Sequence, residues 1–136
     1  MPQIACSDRD AGAVEATRAN AARAGLAEWI SCDEHALAAQ PWLQEGGAPA
    51  RGVVATNPPY GVRVAGKSPL LPLYQTLGHR VGRMGPGWRA AILAHDVRLA
   101  RRTGLSLEPA FTTRHGGLKV TAMTSSAADA AAPEHG

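Results

Sequence analysis

A chain of 136 residues is long enough for one compact domain and too short for two of ordinary size. No apolar run approaches the roughly 20 residues that span a bilayer, and the first residues lack the basic cluster and apolar region of a signal peptide. We therefore expect no membrane partner and predict a cytoplasmic protein. The net charge is +3 and twelve of the fourteen basic residues are arginine, which permits a nucleic-acid partner without demonstrating one.

The first part of the chain predicts a strand, a helix and a second strand. Gln3 to Ser7 is a short apolar run. The alanine-rich segment from Ala11 to Ala24 predicts a helix that Asp10 caps and Gly25 ends. Leu26 to Cys32 contains a tryptophan and an isoleucine, which favour a strand.

The middle of the chain predicts a third strand and a long helix. Ala36 to Ala39 favours a short helical turn, and the glycines and proline of Gln44 to Arg51 indicate a loop. Gly52 to Thr56 is apolar and predicts the strand. Ser68-Pro69 is a typical helix opening, because serine caps and proline suits the first position. The helix that follows has one apolar stripe: Leu70, Leu73, Tyr74, Leu77, Val81 and Met84.

The last third predicts three more strands. Trp88 to Ala94 is the fourth strand, and Asp96 to Thr103 is a short basic helix. Leu105 to Thr112 and Leu118 to Thr124 predict a strand pair joined by the turn-rich segment Thr113 to Gly117.

These elements predict an α/β fold whose sheet is mostly parallel, with crossover helices and a C-terminal antiparallel strand pair. Residues 1–124 would form this domain, and residues 125–136, small and polar without periodicity, are predicted to be a disordered tail. In such sheets ligands bind beyond the carboxyl ends of the strands. Four polar segments follow predicted strands: Asp8-Arg9, Asp33-Glu34, Asn57 to Tyr60 and His95-Asp96.

Acidic residues follow the first two predicted strands. A carboxylate such as Asp8 at a strand end can accept two hydrogen bonds from the ribose hydroxyls of a nucleoside-containing cofactor. A helix cap or turn former is the alternative for Asp8. Asp33 can accept from an adenine amino group, with the backbone of Glu34 completing the edge, although an ordinary turn residue would look the same.

The segment Asn57-Pro58-Pro59-Tyr60 is the most informative one. Two prolines cannot donate to a sheet ladder, so the strand ends there and the rigid turn presents the Pro58 carbonyl as an acceptor. Together with the Asn57 side-chain oxygen, this carbonyl can hold both protons of a planar amine, while Tyr60 offers a face for base stacking. Such acceptors favour the pyramidal nitrogen of a transition state. The alternative is a proline-stiffened loop that packs an aromatic ring into the core.

Three other sets of residues have simpler interpretations. Cys6 and Cys32 favour small buried side chains in neighbouring strands, with a disulfide or a metal site as alternatives. His95 follows a predicted strand and is more typical of a structural histidine than of a catalytic one. The exposed arginines of the basic helix favour a solvated face over phosphate contact; they are Arg98, Arg101 and Arg102.

Taken together, these segments resemble the class I S-adenosylmethionine-dependent methyltransferases, whose amino-group-modifying members carry an Asn/Asp-Pro-Pro-Tyr/Phe turn after the fourth strand. The sequence is most similar to the rRNA guanine-N2 methyltransferases, which often carry an RNA-binding THUMP domain. The resemblance extends over residues 3 to about 122, although Asn-Pro-Pro-Tyr alone also occurs in adenine-N6 and glutamine-N5 methyltransferases. The segments that carry it are Cys6 to Asp10, Ala13-Val14, Ala19 to Ala21, Asn57 to Gly61, Tyr74, Leu77-Gly78 and Gly87-Trp88.

The resemblance implies a partial Rossmann-like methyltransferase fold, a cofactor, a substrate and a role for each site residue. The cofactor is S-adenosyl-L-methionine, the partner is RNA, specifically rRNA, and no metal is required. Asp8 binds the ribose and Arg9 lines the adenine. Asp33 and Glu34 read the adenine edge, and the segment from Asn57 to Tyr60 holds the target amine.

The sequence departs from this family at its start. The family's catalytic domain begins with a strand and a glycine-rich turn that contacts the methionine part of the cofactor, and no Gly-x-Gly precedes Asp8. In the family that strand lies between the strand ending at Asp8 and the one ending at Asn57, so its absence would leave two interior edges unpaired. We therefore expect a truncated product or the C-terminal part of a larger enzyme, with an N-terminal region or separate chain supplying the strand and the RNA-binding domain.

Three other functions remain open from the sequence. They are adenine-N6 methylation of DNA or RNA, glutamine-N5 methylation of a protein, and a non-catalytic remnant. The isolated chain is expected to bind S-adenosylhomocysteine weakly or not at all.

Overall fold

The computed structural model describes residues 3–41, 49–59 and 70–125. Their contacts divide the chain into two compact units, Met1–Pro41 and Trp42–Gly136. Each unit is described by itself.

The first unit is a βαβ arrangement. Strand β1 (Ile4–Asp8) is followed by helix α1 (Ala11–Arg23) and strand β2 (Ile30–Glu34), and a 3₁₀ turn (Leu37–Ala39) comes after them. The two strands are parallel, and the register pairs Ile4 with Ile30 and runs on from there. The crossover helix places both carboxyl ends at the same edge of the sheet.

The second predicted strand was placed too early. Residues 26–29 form a turn instead, because the amide of Leu26 donates to the carbonyl of Ala21 and the amide of Trp29 donates to that of Leu26. Gly25 has a φ of 74° and supplies the left-handed residue that ends α1, as predicted. The strand therefore begins at Ile30 and includes Asp33 and Glu34, which were expected to lie just beyond it.

The second unit is a mixed four-stranded sheet with two helices. Its elements are β3 (Gly52–Thr56), α2 (Leu70–Gly82), β4 (Trp88–Ala94), α3 (Val97–Arg101), β5 (Glu108–His115) and β6 (Leu118–Thr124). The strand order is β3-β4-β6-β5. Strand β4 is parallel to β3 and antiparallel to β6, and β5 is antiparallel to β6. The predicted C-terminal antiparallel pair is thus confirmed.

Alternation along β4 and the stripe on α2 build the core of this unit. Alternate residues of β4 from Trp88 to Ala94 are buried, and Ile92 is 1% exposed. The strand partners of β4 add Val120 and Met123, which are fully buried. The buried side chains of α2 lie on the predicted apolar stripe: Tyr74, Leu77 and Val81. The predicted helix start at Ser68-Pro69 lies outside the described residues.

The hairpin connection is shorter than predicted. Strand β5 continues to His115 and pairs with Leu118, so only Gly116 and Gly117 form the loop. Both glycines have positive φ, 61° and 85°, as a type I′ turn requires. Ser125, predicted to begin the tail, donates to and accepts from the backbone of Ala90. Residues 126–136 lie outside the described residues, and the tail stays a prediction there.

In the described part of the chain, β1 and β3 are edge strands, as are β2 and β5 at the other sides of the two sheets. There, β1 pairs with β2 alone and β3 pairs with β4 alone. Ile4 on β1 and Val53 on β3 are 46% and 56% exposed. Among the helices that the structure describes, none is long and apolar enough to cross a membrane.

Candidate methyltransferase site

The Asn-Pro-Pro turn lies at the carboxyl end of β3, which stops at Thr56. Asn57 is exposed, Pro58 is buried and Pro59 is exposed. The hydroxyl of Tyr74 on α2 donates to the Pro59 carbonyl over 3.1 Å. Since Tyr74 is only 2% exposed, this hydrogen bond ties the turn to the helix from inside the core. Tyr60, the predicted stacking residue, lies outside the described residues.

The side chain of Asn57 is exposed at the carboxyl end of β3, where a ligand can reach its amide group. Pro58 is buried and so holds the turn against the sheet. Neither Pro58 nor Pro59 has a backbone N–H group. The two prolines contribute carbonyl acceptors and no backbone donor, and the side-chain oxygen of Asn57 is a further acceptor, which suits the binding of an amine.

At the end of β1, Asp8 forms a local turn and remains exposed. Its Oδ1 accepts from the amide of Asp10 at 2.9 Å, and the Oδ2 of Asp10 accepts from Ala13 at 2.8 Å. Asp10 therefore caps α1, as predicted. The turn that Asp8 forms orients its carboxylate, and the second oxygen is the one suited to a hydroxyl donor. Arg9 is also exposed.

Asp33 and Glu34 end β2 beside this turn. The register pairs Asp8 with Glu34 and Ser7 with Asp33, which brings the predicted cofactor residues of the first unit together at one sheet edge. Asp33 has a partner that the sequence did not indicate, because Arg18 on α1 lies 3.4 Å from its Oδ1. The same guanidinium donates to the buried Cys32 carbonyl from Nε and Nη2 at 2.9 and 2.6 Å.

Carboxylates at the ends of parallel strands have the chemistry for ribose hydroxyls and an adenine amino group, all of which donate hydrogen bonds. Asp8 uses one oxygen in its own turn, and Asp33 shares one with an exposed arginine. Each carboxylate therefore keeps an acceptor oxygen, and the acceptors at this edge suit the hydroxyl and amino donors of a nucleoside. Asn57, Pro58 and Pro59 belong to the second unit and are described apart from it.

The other candidate residues have structural partners. His95 follows β4, and its Nδ1 lies 3.0 Å from the Lys119 carbonyl. Arg101 donates to the Leu107 carbonyl at 3.2 Å, so it braces the loop after α3. Arg98 is 95% exposed and only 3.8 Å from Asp96, the residue that caps α3.

Cys6 and Cys32 are register partners in neighbouring strands, as predicted, and both thiols are free. Burial raises the pKa of Cys6 from 9.0 to about 11, and a hydrogen bond with Cys32 and the nearby charges of Cys32 and Asp33 act in the same direction. In the described part of the chain, no three His, Cys, Asp or Glu side chains cluster as metal ligands would.

A cavity of about 180 Å³ lies at the opposite end of β4. Trp88, the first residue of that strand, lines it together with Gly82, Gly104 and Ser125. The Asn-Pro-Pro turn follows the carboxyl end of the neighbouring parallel strand, so this cavity is separate from the predicted site.

Residues 1–123 match the family UPF0020, the RMKL-like methyltransferase domain. The chain belongs to this family. Among RMKL-like relatives, the ribosomal RNA large subunit methyltransferase K/L of Legionella pneumophila (strain Lens) is 36% identical over 126 residues, which are 90% of this chain and 17% of that protein. The protein of the same name from Chromohalobacter salexigens is 36% identical over 111 residues, 82% of this chain and 15% of that protein. The chain thus spans about a sixth of these relatives.

Two solved structures share the fold of this chain. The crystal structure of SMU.472 complexed with SAH superposes with a TM-score of 0.76 at 25% identity and covers 90% of this chain and 31% of that one. The N-terminal domain of human METTL16 in complex with SAH has a TM-score of 0.65 at 10% identity, over 91% of this chain and 52% of that one. The predicted Rossmann-like methyltransferase fold is confirmed.

Sequence reasoning missed two residues that contact candidate site residues, one in each unit. Tyr74 was placed on the apolar stripe of α2, but a tyrosine among leucines signals a hydroxyl that needs a buried partner. Arg18 was not singled out, because it lies in an alanine-rich helix and its contact with Asp33 depends on how α1 packs on β2.

Proposed function

We propose that this chain is part of an S-adenosylmethionine-dependent N-methyltransferase that acts on an exocyclic amine, the N2 of guanine in ribosomal RNA. The observation that carries the proposal is the Asn57-Pro58-Pro59 turn, held at the end of β3 by Tyr74. Membership of the RMKL-like family supports the reaction, and the names of the K/L relatives support the substrate. Residues 1–124 would carry the catalytic domain, and the enzyme would work in the cytoplasm.

The cofactor residues in this proposal are Asp8, Arg9, Asp33 and Glu34. Asp8 would accept from the ribose hydroxyls with the oxygen that its own turn leaves available, while Arg9 lines the adenine. Asp33, oriented by Arg18, would accept from the adenine amino group beside Glu34. The bound cofactor supplies an electrophilic methyl group.

The turn would do the work on the acceptor side. An aromatic amine is a poor nucleophile because its lone pair is delocalised into the ring. The Asn57 side-chain oxygen and the Pro58 carbonyl would draw its two protons and stabilise the pyramidal nitrogen as it attacks. Tyr60 would stack on the target base after that base has flipped out of the RNA helix. The proton is acidic once the nitrogen is alkylated, so water can take it.

We infer that the open edges of β1 and β3 accept a further strand, supplied by an N-terminal region or a separate chain. Exposed backbone donors and acceptors along such edges favour pairing. The exposed Ile4 and Val53 side chains support this, because they leave apolar surface at both edges. A region of this kind would also carry the RNA-recruiting domain.

Methyl transfer from labelled S-adenosylmethionine to three acceptors tests the proposal. Protein-free rRNA, single-stranded DNA and a bacterial protein extract would each be incubated with the chain joined to the proposed N-terminal region, and with the Asn57→Ala variant of the same protein. Label in rRNA that disappears with Asn57→Ala supports the proposal. Label in protein alone, or in N6-methyladenine after digestion, would assign the turn to the other reactions in which it occurs.

A further inference from the structure

The described part of the second unit is strongly basic. Residues 49–59 and 70–125 contain nine arginine and lysine residues but only two acidic ones, Asp96 and Glu108. The one ion pair described in these ranges joins Asp96 to Arg98 at 3.8 Å. The positive charge of this unit is therefore not neutralised from within the described residues, which favours a polyanionic partner.

Part of this charge lies on a hairpin that extends beyond the carboxyl edge of the sheet. Ala94 at the end of β4 pairs with Thr121, and β6 begins three residues earlier, at Leu118. At about 3.4 Å per residue, the hairpin extends about 10 Å past the end of β4 before it turns. The two-glycine loop keeps this extension tight.

Arg114 and Lys119 lie on this extension and face each other. The register pairs them directly across β5 and β6, so their side chains lie on the same face of the hairpin. Like charges in this position repel and destabilise a strand pair. Neither residue takes part in an ion pair within the described part of the chain, and both are exposed. An anion bound between them would remove the repulsion.

The hairpin is fixed at the edge that also carries the Asn-Pro-Pro turn. The Nδ1 of His95, just after β4, contacts the carbonyl of Lys119 itself at 3.0 Å. In the order β3-β4-β6-β5, strand β6 lies two intervals from β3, and Asn57 follows β3 at the same edge. Two intervals amount to about 10 Å, a distance that nucleotides flanking a bound base can cover.

We propose that Arg114 and Lys119 form a phosphate-binding pair for the single-stranded RNA on either side of the base held at Asn57. This inference rests on the proposed function for the choice of RNA, and it gives the basic hairpin the role of positioning the strand. A phosphate between the two cations would gain two charge-assisted contacts and relieve their repulsion. Contacts of this kind position the nucleic acid without reading its sequence.

The test measures RNA binding by the complete chain without cofactor. Fluorescence anisotropy of a labelled single-stranded RNA of mixed sequence would compare Arg114→Gln/Lys119→Gln with the control Arg51→Gln/Arg89→Gln. The control removes the same charge from exposed residues at the other end of β3 and β4. Circular dichroism would establish that both double variants keep the fold.

Binding is measured at several salt concentrations, and the slope of log affinity against log salt concentration is compared. Each phosphate contact on a single strand contributes about 0.7 to this slope, so the loss of two contacts should reduce its magnitude by about 1.4. At about 0.15 M salt this corresponds to a roughly 10-fold weaker affinity for the hairpin variant. The control should change affinity by less than about 3-fold. Equal losses in both variants would show that only net charge acts, and no measurable RNA binding by the unmodified chain would equally overturn the inference.

The same assay separates this inference from the proposed function. Asn57→Ala should lose methyl transfer and keep its RNA affinity. RNA binding through the hairpin, together with no methyl transfer when the chain is joined to the proposed N-terminal region, would leave the phosphate pair intact and contradict the proposed reaction alone. Tighter binding of single-stranded DNA than of RNA, with the same hairpin dependence, would overturn the choice of RNA.

Discussion

The buried hydroxyl of Tyr74 donates to the carbonyl of Pro59 over 3.1 Å and so joins helix α2 to the turn after β3. Asn57 and Pro58 precede this anchored carbonyl. The position of the acceptors in the turn therefore depends on a side chain 15 residues further along the chain.

Tyr74→Phe should loosen the turn without changing the shape of the core. The variant removes only the hydroxyl, so we expect the free energy of unfolding to fall by about 1 kcal/mol, as for other buried hydrogen bonds. Urea unfolding measures this change. Amide hydrogen exchange near Asn57 should also accelerate, and exchange and stability that are both unchanged would contradict the anchoring role.

Gly78→Ala should destabilise the second unit strongly. A Cβ at Gly78 would overlap the backbone carbonyl of Thr103, which is itself buried and cannot move aside like a flexible side chain. Overpacking of this kind costs about 1–3 kcal/mol, occasionally more. The matched control is Gly82→Ala on the same helix, where a Cβ has open space.

For Gly82→Ala we expect a change within about 0.5 kcal/mol, because alanine favours the helix but this position ends it. Thermal unfolding of both variants gives the comparison. Equal melting temperatures for the two would show that α2 does not pack closely on the segment after α3.

Arg18→Met should weaken the first unit. The guanidinium donates twice to the Cys32 carbonyl and pairs with Asp33, but it is 60% exposed, so solvent reduces the contribution of the ion pair. We expect a loss of about 1 kcal/mol in urea unfolding. Arg23→Met in the last turn of the same helix is the control and should cost less. The opposite order would contradict the role given to Arg18.

The Cys6 thiol should react slowly with alkylating agents at ordinary pH. Thiolate is the reactive form, and a pKa raised from 9.0 to about 11 lowers its fraction at pH 8 about 100-fold relative to the unfolded chain. Iodoacetamide labelling from pH 8 to 11, followed by mass spectrometry of the Cys6 peptide, measures the midpoint. A midpoint near 9 would contradict the effect of burial.

The same shift has a consequence for stability. Folding raises the pKa of Cys6, so the protonated thiol contributes to the free energy of unfolding. This contribution is complete below pH 9 and is lost as the pH rises through 11. Cys32→Ala removes both the hydrogen bond and the charge of the partner and leaves Cys6 buried. The labelling midpoint of that variant should fall toward 9 without reaching it.

Three strands were predicted with their observed ends: β3, β4 and β6. Gly52 to Thr56 and Trp88 to Ala94 are short apolar runs set between glycines, prolines and polar residues, so local chemistry defines both ends. The strand at Ile30 was misplaced, because hydrogen bonds within residues 21–29 hold Leu26 to Trp29 in a turn despite their strand-forming side chains. Whether such a segment forms a turn or a strand depends on packing, and the strand propensities of its residues do not predict it.

The candidate site residues also divide into features that the local sequence predicts and features that depend on packing. The chemistry of Asn57 to Pro59 is readable from the sequence, because two prolines have few structural alternatives after a strand. The partners of the site residues are not readable, since Arg18 reaches Asp33 and Tyr74 reaches Pro59 through the packing of helices on sheets. Tyr60 lies outside the described residues and stays a prediction.

The most direct test of the account is the identity of the methylated nucleoside and its dependence on Asn57. Protein-free rRNA would be incubated with labelled S-adenosylmethionine and with the chain joined to the proposed N-terminal region, then digested and analysed by mass spectrometry. We expect the product to be N2-methylguanosine. The rate of methyl transfer should fall about 100-fold or more in Asn57→Ala and be unchanged in Arg89→Gln. Label in any other nucleoside, or an equal rate for Asn57→Ala and the unmodified chain, would contradict it.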